Sequence, residues 1–332
     1  MTERQAEHRA GQLIGGRVRL EERLGEGAAG EVWRATHLER TADVAVKLLA
    51  PRFRHTAAES GHVASFLREA RLARRVDSAH VVRVMDCAFS PEVGPYIVME
   101  LLVGPDLFEH IARTGTLELA ETAVIVMQLC EALEALHAAD VFHRDVKPEN
   151  VVLTRRRGGT CAKLIDFGIA RDARAPLELE EGIFGTPAYL SPERIHGSSS
   201  GREAADLWAL AVLAYQCIVG KVPFDDRTLG TVSMAIHRAS FRPPSVFLAD
   251  STPDLDGWFR RAFAPKPSER FQTAMEMRDA LVDAWSPFPL EAPSGVRESA
   301  QSWDGEDARV SGVCGRADDQ FAASSSSARR VQ

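Results

Sequence analysis

The sequence predicts an α+β fold in two lobes, a small strand-rich N-lobe with one key helix and a larger, mostly helical C-lobe. Two observations carry this reading. From Val18 to about Met99 the apolar residues alternate or run in short blocks, as they do in half-buried and buried strands. After Gly104 they recur at helical spacing over long stretches without Gly or Pro. The 332 residues would fill roughly two domains of ordinary size. With 45% hydrophobic and 26% charged residues the chain reads as globular.

Taken in order, residues 1–16 are polar and Gly-punctuated, a flexible lead-in. Strand patterns follow in VRLEERL, EVWRATHL, DVAVKLLA and PYIVMELL, interrupted by one helical pattern over 60–76. The helix expected at 122–139 places Ile125, Leu129, Leu133 and Leu136 on one face. VVLT and AKLIDF are short strands, and a loop-rich stretch runs to about 203. Helices are expected at 204–219, 254–264 and 273–284. Pro, Gly, Ser and acidic residues dominate 286–332, which read as a disordered tail. The resulting boundaries are a domain over 17–285 with N-lobe 17–98, hinge 99–104 and C-lobe 105–285.

Several function classes are excluded by composition. A net charge of −7 gives no general attraction for nucleic acid or an anionic membrane. Cys87, Cys130, Cys161, Cys217 and Cys314 are odd in number and widely spaced, which argues against a disulfide framework or a zinc site. The charged start has no apolar run behind it. The most apolar stretch, Ala204 to Val219, is interrupted by Asp206 and Gln216 and falls short of the ~20 residues of a membrane span. The expectation is a cytoplasmic protein without a membrane span.

Only five of the 40 basic residues are lysine, so each lysine is informative. Gly25-Glu26-Gly27-Ala28-Ala29-Gly30-Glu31-Val32 has the spacing of a backbone that cradles phosphate. It lies between two strand patterns, which points to a flap rather than a dinucleotide-binding turn; a plain hairpin tip stays open. Lys47 sits in the apolar strand Val44-Ala45-Val46-Lys47 and needs a partner if buried. On the next helix Phe66, Ala70 and Ala73 form an apolar stripe with Glu69 beside it, so Glu69 is the candidate partner. His143-Arg144-Asp145-Val146-Lys147-Pro148-Glu149-Asn150 packs a base, a cation and an amide oxygen into one loop. Asp166-Phe167-Gly168 offers a second oxygen ligand for Mg²⁺.

In this order the motifs resemble those of the eukaryotic-type serine/threonine protein kinases, and the wording is most similar to the bacterial members. The likeness continues through Gly185 to Glu193, Asp206-Leu207-Trp208 and Ser268-Glu269-Arg270-Phe271. It implies a protein-kinase-like fold and ATP-dependent transfer of the γ-phosphoryl group to Ser or Thr of proteins, in bacterial signalling. By the same resemblance Gly25, Gly27, Gly30 and Val32 cover the ATP phosphates, and Lys47, held by Glu69, contacts them. Asp145 orients the acceptor hydroxyl, Lys147 stabilises the γ-phosphoryl, and Asn150 and Asp166 hold Mg²⁺, with Mn²⁺ as an alternative. Leu24, Val32, Ala45, Met99 and Val152 line the adenine pocket, with the backbone of Glu100 to Leu102 as hinge and Asp106 at the ribose. Glu193 and Arg270 resemble the buried ion pair of the larger lobe, and Asp206 the brace of the catalytic loop. Lys147 and Thr186 speak for Ser/Thr acceptors.

One departure stands out. Residues 169–184 contain no Ser, Thr or Tyr, yet they carry Glu178, Glu180 and Glu181. Either a glutamate stands in for a loop phosphate opposite Arg144, giving activity without loop phosphorylation, or the segment is an exposed acidic turn. Bacterial relatives often continue into a membrane span and sensor, whereas here the input is expected from a partner or the tail, and a homodimer or a regulatory protein is the expected binding partner. Two rivals stay open, a pseudokinase scaffold and a small-molecule phosphotransferase. The acceptor that takes phosphate from ATP separates them.

Overall fold

The structure, a computed structural model, describes residues 8–27, 30–49, 62–90, 92–156, 159–166, 187–197, 201–226, 228–249 and 251–285. The side chains of residues 62–65, 69 and 187 lie outside that description. The small lobe is built from β1 (Leu13–Ile14), β2 (Val18–Gly27), β3 (Gly30–His37), β4 (Ala42–Leu49), α1 (His62–Ala73), β5 (Val84–Ser90) and β6 (Gly94–Glu100). Its six strands form one antiparallel sheet in the order β1-β2-β3-β4-β6-β5.

Period-two alternation decides which way β4 points its side chains. Val44, Val46 and Leu48 enter an outer cluster with Ile14, Leu20, Trp33, Tyr96 and Val98. Ala45 and Leu49 face the main core, where Phe66, Ala70 and Ala73 of α1 meet them. Lys47 therefore belongs to the face shared with α1. The outer cluster gathers residues from β1 to β6, so the sheet curls over it.

The expectation of a loose lead-in through residue 16 is corrected at its end. Ile14 is fully buried, and Leu13 and Ile14 pair with Arg19 and Val18. The Gly11 N–H donates to Leu20 O at 2.7 Å, and the Leu20 N–H donates to Gln12 O at 2.9 Å. An open sheet edge recruits this segment, and two residues are too few for periodicity to reveal.

The large lobe contains α2 (Leu107–Thr114), α3 (Leu119–Ala138), β7 (Val151–Arg156), β8 (Gly159–Leu164), α4 (Pro192–Ile195), α5 (Arg202–Val219), α6 (Leu229–His237), α7 (Pro253–Ala262) and α8 (Ala274–Trp285). The stripe Ile125, Leu129, Leu133 and Leu136 of α3 is buried. α5 is buried on nearly all sides, as the unbroken apolar run demands. Trp208 stacks on Phe224 at 5.4 Å between ring centres and meets Phe263 edge-on at 5.2 Å. Burial pushes the Cys130 and Cys217 thiols up, so both are inert core residues. Among the described residues no helix is long and apolar enough to cross a membrane.

The connection between the lobes presses onto β7. Leu153 N–H donates to Pro105 O at 2.9 Å, and Asp106 bridges Val152. Gly104 has φ +152°, and a Cβ there would lie 2.0 Å from Leu153 O. Backbone cannot move aside as a flexible side chain can. Gly104→Ala is therefore expected to lower unfolding free energy by about 2 kcal/mol or more. Urea unfolding checks this, and a change below ~0.5 kcal/mol, the range of ordinary surface substitutions, contradicts it.

Candidate active site

β2 and β3 pair all the way to Gly27 opposite Gly30, so the glycine-rich motif ends a hairpin. Its tip, Ala28 and Ala29, lies outside the described residues. Register sets Val32 opposite both Gly25 and Lys47, and Ala45 opposite Met99. Gly25, Val32, Ala45 and Lys47 thus share one patch of sheet, and Leu24, in the irregularity just before Gly25, is half exposed. Lys47 is buried, and its Nζ forms an ion pair with Asp166 Oδ1 of the large lobe. The Glu69 side chain, expected as its partner, lies outside the described residues.

Asp145, Lys147 and Asn150 come together in one turn. Asn150 Nδ2 donates to Asp145 O at 2.7 Å and to Asp145 Oδ2 at 3.1 Å. Lys147 Nζ lies 3.1 Å from the same Oδ2. Engaging Nδ2 in this way leaves Asn150 Oδ1 as the atom that can face a cation. Ile165 fastens Asp166 beside this turn: its N–H donates to Asn150 O at 2.8 Å, and its carbonyl accepts from His143 Nε2 at 2.8 Å. A carboxylate and an amide oxygen are hard donors suited to Mg²⁺, which keeps water and phosphate oxygens as its other ligands. The donor set fits that ion. Phe167, Gly168, Glu178, Glu180, Glu181, Gly185 and Thr186 lie outside the described residues.

Backbone strain marks both arms of the site. Arg144 and Asp166 have φ of +63° and +62°, left-handed values that non-glycine residues seldom adopt. Asp206 of α5 holds the first. Its Oδ2 accepts the His143 N–H at 2.8 Å, and its Oδ1 accepts the Arg144 N–H at 2.7 Å. His137 Nε2 donates to Oδ2 at 3.0 Å. Burial alone would raise the Asp206 carboxyl, but the His137 hydrogen bond and the Arg144 N–H outweigh it and hold it below its usual range. His143 is held neutral: burial lowers its pKa against the opposing pull of Asp206 and the Ile165 carbonyl. Its Nδ1 accepts the Asp145 N–H at 3.3 Å, which fits a ring protonated at Nε2 alone.

The hinge residues follow. Met99 is buried, and Leu102 and Val152 are partly buried. Asp106, expected at a ribose, caps α2 by accepting the Glu109 N–H at 2.7 Å. Farther out, Arg270 grips Glu193 through two bonds of 2.8 Å and lies over the Trp208 ring at 4.7 Å.

Two residues escaped the sequence reading. His137 gave only the signal of a polar side chain ending an apolar helix. Lys163 is buried and reaches Glu100 Oε1 at 2.5 Å. Its scarcity as a lysine was the available clue.

A family model described as "Protein kinase domain" matches residues 18–278. The serine/threonine-protein kinase Pkn1 of Myxococcus xanthus is 37% identical over 271 residues, covering 80% of this chain and 38% of that protein. The probable serine/threonine-protein kinase PknB of Corynebacterium glutamicum is 34% identical over 281 residues, covering 80% of this chain and 42% of that protein. The crystal structure of the Mycobacterium tuberculosis PknI kinase domain has a TM-score of 0.66 and 30% identity, covering 84% of this chain and 100% of that domain. The chain thus spans about two fifths of the length of these curated relatives.

The neutral state of His143 has a pH consequence. Its folded pKa is depressed, so its contribution is full above the unfolded value of about 6.5 and is lost as pH falls through the lower folded pKa. Unfolding free energy of the wild type should fall between pH 7.5 and 5.5, and His143→Asn should flatten that slope. Equal slopes in the two proteins would contradict the assignment.

Proposed function

This chain belongs to the protein kinase family, and from that membership we propose that it transfers the γ-phosphoryl group of ATP to serine or threonine hydroxyls of proteins. The observation that supports the reading is the double tie of Ile165, the residue before Asp166, to Asn150 and His143 of the loop that carries Asp145 and Lys147. The relatives named as serine/threonine kinases support it.

Each residue's proposed part follows from its place. Leu24, Val32, Ala45, Met99 and Val152 form the apolar walls for adenine, with the Glu100 to Leu102 backbone along its edge and Asp106 near the ribose. The backbone of Gly25, Gly27 and Gly30 comes close to the phosphates. Lys47 is buried and already paired with an anion, so it is suited to hold a polyphosphate. Glu69 is its proposed second partner. Asn150 and Asp166 are the residues that would hold Mg²⁺ or Mn²⁺; when bound, the ion supplies positive charge at the phosphate oxygens. Asp145, fixed at Oδ2 from two sides, orients the acceptor hydroxyl and takes its proton. The hydroxyl oxygen bonds to the γ-phosphorus, the bond to the bridging oxygen breaks, and ADP leaves with that electron pair. Lys147 offsets charge on the transferred group. Because the transition state is loose, positioning matters more here than basicity.

We further propose a kinase unit over 17–285, a cytoplasmic location, input through a partner or the tail, and a homodimer or regulatory protein as its binding partner. Transfer is proposed not to wait on phosphorylation within 169–184, which has no Ser, Thr or Tyr.

Labelled ATP, Mg²⁺ and a generic basic protein test the reading. The expected result is label on Ser or Thr in the wild type and a loss of about 10²–10⁴-fold in Asp145→Ala, the range for removing a general base. Label on a small molecule only, or ATP bound without transfer, would overturn it.

A further inference from the structure

Lys163 lies outside the catalytic roles, yet it is 4% exposed and therefore a buried ammonium. It stands on β8 directly across from Val152 of β7, so the two side chains leave the same face of that hairpin. From there Nζ reaches Glu100 Oε1 at 2.5 Å, with Val81 O at 3.5 Å. Glu100 ends β6 at the start of the hinge. Its Oε1 also accepts the Arg83 N–H at 2.8 Å, while its own N–H donates to Arg83 O at 3.0 Å. One carboxylate thus gathers the hinge, the strand floor of the pocket and the segment that leads into β5.

That segment is itself sewn to β8. Val82 N–H donates to Leu164 O at 2.9 Å, and Leu164 N–H donates to His80 O at 2.8 Å. His80 Nδ1 lies 2.9 Å from Ala162 O. These bonds anchor residues 80–82 but leave the hinge strand one residue pair farther out. The Lys163–Glu100 pair extends the anchoring to the hinge.

We propose that Lys163 is a positioning residue for the nucleotide: paired with Glu100, it sets the height of the hinge over Val152 and so the width of the adenine slot. The inference rests on the proposed function, because it concerns the same pocket. It differs from a purely structural ion pair in what it controls. A structural pair affects how much protein is folded, whereas a slot-setting pair affects how well folded protein holds nucleotide.

The two partners are unequal. The Glu100 side chain is 28% exposed and keeps the Arg83 N–H if Lys163 is lost. Lys163 has a 4% exposed side chain and keeps only a weak contact to Val81 O if the Glu100 charge is lost. An isolated buried charge costs more than a wetted one. Glu100→Gln should therefore lower the melting temperature more than Lys163→Met.

The test measures thermal unfolding, direct ATP binding by calorimetry, and kcat and KM for ATP in wild type, Lys163→Met, Glu100→Gln and Lys163→Arg. Lys163→Met is expected to raise the Kd and KM for ATP at least three-fold with kcat within two-fold, and Lys163→Arg to recover most of that loss. A lower melting temperature with unchanged ATP affinity would overturn the proposal, as would an equal loss in Lys163→Arg and Lys163→Met. A folded wild type that binds no ATP would overturn the proposed function itself, a result distinct from variants that merely match an active wild type.

Discussion

One buried carboxylate organises the chemistry of this molecule. Asp206 accepts two consecutive backbone N–H groups, those of His143 and Arg144, and a third hydrogen bond from His137. Arg144 sits in a left-handed conformation that the chain would leave if nothing held it. The next residue is Asp145, so the direction of its carboxylate is inherited from the brace. Asp206 is in turn immobile because α5 is enclosed by apolar and aromatic side chains, with Arg270 and Glu193 closing the far side. The rigidity of the loop is thus drawn from the core of the large lobe.

A second principle is that buried lysines join the two lobes. Lys47 and Asp166 pair at one crossing, and Lys163 and Glu100 at another. Exposed pairs such as Lys266 with Glu269 contribute little to the fold. The crossing pairs use two of the chain's five lysines. Lysine suits this position because its compact charge on a long stem can reach across a seam while the stem stays among apolar neighbours. Backbone bonds of Leu164 to His80 and Val82 cross as well, so the seam is held by both side chains and main chain.

Much of this was legible in the amino-acid order, and the limits have physical causes. β4 was readable as a strand because DVAVKLLA is a short apolar run, but which side chains share the face of Lys47 emerges only from the packed sheet. α3 and α5 were readable because long apolar periodicity has few other uses. Asp145, Lys147 and Asn150 were readable because they share one short loop. β5 was missed because VMDCAFS interrupts its apolar residues with Asp86, and only pairing with β6 makes it a strand. α6 was missed because LGTVSMAIH is rich in β-branched and small residues; its start is set by the Thr228–Thr231 capping box. His137 and Lys163 were beyond sequence logic for a stronger reason. Their partners lie 69 and 63 residues away, and nothing local announces them.

The claim on which the account turns is that Asp206 acts on catalysis through the backbone it holds. Asp206→Asn tests it most directly, since the shape survives while one oxygen acceptor becomes a donor facing an N–H. Measured side by side, ATP affinity should stay within a few-fold of wild type while the rate of phosphoryl transfer falls about 10²-fold, the scale of a misplacement of roughly 1 Å. A folded Asp206→Asn protein that transfers phosphate at the wild-type rate would contradict the account.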